Sequence, residues 1–160
     1  MDAFSARYSF SQSLPASAKA AFDWATDYQP DDLALMGEKG KRTIRKVTND
    51  TIILKEEIFH SGAKITKLKL VKINPRTLSW HNIHINGPNK YSEFLYEISP
   101  TGKTKSKLNF TGLLVVYSKK RLSSNELKRI ADSERDSDSE VWRRLAKALG
   151  EDERAKHRHR

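Results

Sequence analysis

Residues 123–150, SSNELKRIADSERDSDSEVWRRLAKALG, decide the fold. Ser123 or Ser124 supplies an N-cap and Gly150 a natural C′ residue, so a helix is expected to run to about Leu149. Leu127, Ile130, Ala131, Val141, Leu145 and Leu149 recur at helical spacing and give it one apolar stripe. At 1.5 Å per residue, about 26 residues reach roughly 39 Å. The middle of the stripe breaks the pattern, because Glu134, Ser137 and Asp138 occupy or adjoin it.

Upstream of this helix the chain reads mostly as strands. Residues 7–14 alternate strictly, with Tyr8, Phe10, Gln12 and Leu14 on one face, and Pro15 ends them. Ser17 caps a short helix over 18–26, and Pro30, Asp31 and Asp32 open a second that reaches Met36. Strands are then expected over 41–48, 51–59, 63–74, 77–85, 90–99 and 105–117, separated by Asn-Asp, Ser-Gly, Asn-Pro, Asn-Gly-Pro and Pro-Thr-Gly turns. An antiparallel sheet of this extent buries one face, and the terminal helix is the only element long enough to cover it. The expected class is α+β: a seven-stranded curved sheet wrapped around a long C-terminal helix, with two short helices after the first strand. Residues 1–150 read as one domain and 151–160 as a disordered basic tail.

Composition narrows the function. The chain has 160 residues, no cysteine and a formal charge of +10. Lacking cysteine, it has neither disulfides nor thiolate metal sites, and a reducing, cytoplasmic setting is the simplest expectation. The start Met1-Asp2-Ala3-Phe4 lacks signal-peptide character, and no apolar run approaches a bilayer span. The charge is concentrated, with 17 basic and five acidic residues between 41 and 121. Nucleic acid is disfavoured as a partner, since aromatics are not interleaved with these cations and no RNA-recognition signature appears. Lysines such as Lys103, Lys105 and Lys107 are expected to solubilise the outer face of the sheet, where an anionic membrane surface is a further candidate partner. On residues 63–74, Lys67 and Lys69 share a face with Ile65, Val71 and Ile73, which implies a bulge or exposed ends. Glycine-rich phosphate loops, His-Glu-x-x-His and Gly-x-Ser-x-Gly are absent, so no cofactor, metal or covalent nucleophile is called for. His81 and His84, three apart on a strand, face opposite sides and cannot share a metal.

The element order resembles the helix-grip fold of the START and birch-pollen-allergen-like (SRPBCC) superfamily. The resemblance rests on Tyr8–Ala16 with Ala21-Phe22-Asp23-Trp24, on Tyr96–Gly102 followed by Lys103–Phe110, and on the long closing helix. It implies a cavity between sheet and helix that binds a small hydrophobic or amphipathic ligand such as a lipid, sterol or polyketide. The alternatives are a cofactor-independent polyketide cyclase or dehydratase and a chaperone-activating interaction module. With alternation added, the expected lining is Phe10 and Trp24, then Leu33, Met36 and Leu54. Trp80, Phe94, Tyr96, Phe110 and Leu114 follow on the later strands, and Glu134 and Val141 on the helix. Tyr96 and Glu134 would orient a polar group of the ligand. Glu134, as a carboxylate in an apolar space, and His81, if inward, are the candidate proton-transfer groups.

Overall fold

A computed structural model describes residues 1–158 of the chain. The elements are β1 (Asp2–Leu14), α1 (Ala18–Thr26), α2 (Asp32–Leu35), β2 (Gly40–Thr48), β3 (Thr51–His60), β4 (Ala63–Asn74), β5 (Ser79–Asn86), β6 (Glu93–Pro100), β7 (Ser106–Ser118) and α3 (Ser124–Arg158). All seven strands join one antiparallel sheet in the order β1-β7-β6-β5-β4-β3-β2. β1 therefore closes against the last strand, and the rest is a meander. No described helix is long and apolar enough to cross a membrane.

Local chemistry sets the element boundaries. Ser17 Oγ accepts from Ala20 N at 3.2 Å and starts α1. At α3, Ser123 Oγ accepts from Glu126 N while Ser123 N donates to Glu126 Oε2, at 3.2 and 2.7 Å. This reciprocal capping box satisfies two amides that would otherwise lack partners.

The helix does not stop at Leu149. It continues through Gly150 and takes in residues 151–158, where a disordered tail was expected, while His159 and Arg160 lie outside the described residues. Gly150 is helical here, serving close approach instead of a left-handed stop: a Cβ on it would lie 3.0 Å from Pro15 Cγ. Glycine inside a helix costs only about 1 kcal/mol, which flanking contacts offset. Trp24 Nε1 donates to Asp152 Oδ2 at 2.8 Å, and Lys156 pairs with Glu153 at 3.1 Å.

α3 packs chiefly on β1. Beneath it Tyr8, Phe94, Phe110, Leu114 and Ala131 form one apolar cluster. A larger cluster gathers Leu14, Ala21, Phe22, Leu54, Val71, Trp80, Leu108, Trp142 and Leu149 towards the other end of the helix. Gly112 on β7 matters to the first: a Cβ there would meet Tyr8 Cζ at 2.9 Å, so the ring lies against bare backbone. Gly112→Ala is expected to lower stability by about 1–3 kcal/mol through overpacking, read as a fall in the urea midpoint at constant m-value.

Candidate functional site

Because α3 packs chiefly on β1, its backbone stands off the curled strands β2 to β6, which it meets through long side chains such as Trp142. The space between is a cavity of about 220 Å³. α1 contributes Trp24 to its wall and α2 contributes Leu33, with Tyr28 from the segment between them and Met36 from the end of α2. Trp80 on β5 and Tyr96 on β6 lie face to face, 4.8 Å apart with planes 2° from parallel, and Trp142 of α3 stands 6.0 Å from Trp80. This apolar wall holds Trp24, Leu33, Met36, Leu54, Trp80, Phe94, Tyr96 and Val141, and Glu134 also lines the cavity.

Phe10, Phe110 and Leu114 are not in the wall. Phe10 stacks on Phe110 at 4.6 Å, and both pack with Leu114 in the cluster beneath α3. Alternation assigned the right face of β1 and β7, but the helix itself fills the space above those strands.

The other half of the cavity is polar, and it rests on a buried carboxylate. On β3 the inward residues are Ile52, Leu54, Glu56 and Ile58. Glu56 is 1% exposed and accepts from Arg42 Nη2 and Lys69 Nζ, each at 2.7 Å. Arg42 on β2 stands directly opposite it, and Lys69 reaches in from β4. Burial alone would raise the Glu56 pKa, but Lys69 and Arg42 together outweigh it and hold the group at about 2. Arg42 also pairs with Asp32 of α2 at 3.1 Å and donates to Met36 Sδ, so the same guanidinium ties the short helix over the cavity. Tyr28 sits beneath that guanidinium and donates to Asn82 at 3.4 Å, with a φ of 39° that bulky residues seldom adopt.

Lys67 and Lys69 thus line the cavity, not the outer surface. Val71 is fully buried, and the period of two along β4 carries both lysines inward with it. The bulge that their shared face implied lies between Leu68 and Lys69 in the β4–β5 pairing. Lys103, Lys105 and Lys107 are exposed.

Two candidate proton-transfer residues also move. His81 is on the outer face, its Nε2 3.7 Å from Glu93 Oε2. His84 is the inward histidine, beside Phe94, and burial together with Lys69 and Lys67 lowers its pKa to about 3. On α3 the carboxyl with the raised pKa is Asp138, one turn beyond Glu134. Burial and the Glu134 charge lift it to about 6, although Tyr8 donates its phenolic O–H to Asp138 Oδ2 and opposes the rise. Burial and this carboxylate push the Tyr8 pKa up in turn. The sequence signals for the polar half were the break at Ser137 and Asp138, and a lone Glu among apolar inward residues of β3. Among the described residues, no group of three or more His, Asp or Glu side chains is placed to hold a metal ion.

No family model matches the sequence, and no curated protein is significantly similar to it. In three dimensions the chain resembles solved structures over nearly its whole length. A protein from Thermus thermophilus superposes with a TM-score of 0.74 at 11% identity, covering 90% of this chain and 97% of that one. An aromatase/cyclase from a Streptomyces species gives 0.69 at 10% identity, covering 91% and 96%. A START superfamily protein from Mycobacterium smegmatis gives 0.65 at 17% identity, covering 90% and 94%. The chain therefore has the START/birch-pollen-allergen-like helix-grip fold.

Asp138 makes stability depend on pH in a defined direction. Its folded pKa lies above the ordinary 3.8, so its favourable contribution is complete below about pH 4 and is lost as pH rises through about 6. Asp138→Asn, which keeps an acceptor for Tyr8, is expected to be about 2–3 kcal/mol more stable than the parent above pH 7 and equal to it near pH 3.5. Tyr8→Phe is expected to raise the Asp138 pKa further, read from its carboxyl carbon shift by NMR. Glu56→Gln leaves two buried cations short of a counter-charge and is expected to cost about 3–5 kcal/mol in urea unfolding at pH 7.

Proposed function

We propose that the chain binds a small amphipathic ligand in the cavity between α3 and β2–β6. The observation that carries this reading is the division of one cavity wall into a stacked aromatic half and a charged half. A core that served stability alone gains nothing from Glu56, Arg42 and Lys69 in place of apolar residues of similar volume. Binding sites, by contrast, combine an apolar lining with a few placed polar groups. At about 220 Å³ the cavity is smaller than the roughly 300–1,000 Å³ that hold drug-sized ligands. Among the classes implied by the fold, this favours a compact planar molecule over a sterol or a long acyl chain. The fold's occurrence in an aromatase/cyclase and in a START protein supports the same reading.

A second reading is favoured by Asp138. A carboxyl with a pKa of about 6, hydrogen-bonded to a tyrosine and lining the cavity, is suited to exchange a proton with a bound molecule near neutral pH. The proton-transfer role first assigned to Glu134 or His81 then passes to Asp138, and no cofactor is required for it.

All three tryptophans of the chain, Trp24, Trp80 and Trp142, line the cavity, so occupancy is expected to change intrinsic fluorescence. Protein purified without denaturation and exposed to a small-molecule extract is expected to show a bound adduct in native mass spectrometry, released on unfolding. Val141→Phe, which narrows the cavity, is expected to reduce the adduct at least severalfold while unfolding stays cooperative. A bare chain mass after every extract, with unchanged tryptophan emission, overturns the reading.

A further inference from the structure

Two polar groups of the cavity wall have no hydrogen-bond or ion-pair partner among the described residues. The first is Lys67. Glu56 stands directly opposite it in the β3–β4 register but is engaged by Arg42 and Lys69. Arg42 takes Asp32 as well. Two cations and two carboxylates on this side therefore balance, and Lys67 forms no ion pair or hydrogen bond among the described residues.

The second is His84, one register pair along, opposite Lys69. Its side chain is 6% exposed, lines the cavity, and has Nδ1 fully buried without a partner. Nε2 makes no hydrogen bond among the described residues, and unlike Nδ1 it is not fully buried. An orphaned buried N–H is rarer than an unfilled acceptor, so the tautomer that fits is a bare Nδ1 with the proton on Nε2. His84 then offers a neutral N–H donor beside a lysine cation.

We propose that Lys67 and His84 form an anion subsite, so that the ligand carries a carboxylate or similarly compact anionic oxygen group. This rests on the ligand-binding reading and names the chemistry of what is bound. The ammonium of Lys67 supplies charge and His84 Nε2–H supplies direction, a charge-assisted pair suited to a small oxyanion. The planar body of the ligand lies on the Trp80–Tyr96 stack. Glu134 and Asp138 face the cavity from α3, and Glu38 from the segment after α2. These carboxyls repel an anion, so they turn the charged end towards the sheet and leave the helix side to an apolar or hydrogen-donating end.

The test uses three probes of one shape: naphthoate, naphthyl methanol and naphthyl methylamine, titrated against the full chain by tryptophan fluorescence at pH 7.5. Naphthoate is expected to bind about tenfold tighter than the alcohol. Lys67→Met, which keeps the aliphatic stem, is expected to remove that preference while changing the alcohol's affinity less than about twofold. His84→Phe, which keeps a ring against Phe94, is expected to weaken naphthoate severalfold and spare the alcohol. Equal binding of naphthoate and alcohol, tightest binding of the amine, or a preference that survives Lys67→Met overturns the subsite. In those cases alcohol binding still upholds the ligand cavity. Failure of all three probes to bind overturns both.

Discussion

A carboxylate at 1% exposure between an arginine and a lysine sets the character of this structure. Glu56 is stable as an anion only because Arg42 and Lys69 stand on it, and they are tolerated inside only because of Glu56. Three adjacent strands are thereby committed to a polar inner face over part of their length. α3 cannot lay an apolar stripe on such a face, and it packs on β1 instead. The cavity is what remains between a helix drawn to one side of the sheet and the charged strands on the other.

The same constraint extends to the elements around the cavity. Arg42 reaches past Glu56 to Asp32, so α2 is held over the cavity by the ion cluster as well as by Leu33 in the core. On the opposite wall, Glu134 and Asp138 interrupt the helix stripe where it crosses open space, and apolar residues resume at Val141 and Trp142, which lead back into the larger cluster. Tyr8 spans from β1 to Asp138 over the bare backbone of Gly112. Polar groups on helix and sheet thus face one another across aromatic rings, an arrangement that wastes stability unless a bound molecule uses it.

Much of this was legible in the sequence because alternation is a strong signal. It assigned the inner faces of β1, β6 and β7, including Phe94 and Tyr96 in the cavity wall. It misplaced Phe10, Phe110 and Leu114 because period-two patterns tell inside from outside, but not which inside residues a helix covers. It put Lys67 and Lys69 on one face with Ile65, Val71 and Ile73 but gave them no partner, because a cation's partner lies on a different strand and register alone reveals that Glu56 is within reach. His84 was passed over for His81 by the same limit of local reading. The helix end was misjudged at Gly150 because a glycine that stops a helix and one that admits a neighbouring proline look alike in one dimension.

The overall charge of +10 takes a different meaning in three dimensions. It first points outward, to solubility and anionic surfaces. Three of the cations from the basic middle stretch, Arg42, Lys67 and Lys69, instead line the interior. Whether that interior is a binding site is tested most directly by a crystal structure of protein purified without denaturation, read for density between α3 and β2–β6. The expected result is compact density against Trp80 and Tyr96, with Glu56, Arg42 and Lys69 in place. A cavity closed by its own side chains, with the Glu56 cluster opened to the outer solvent, contradicts it.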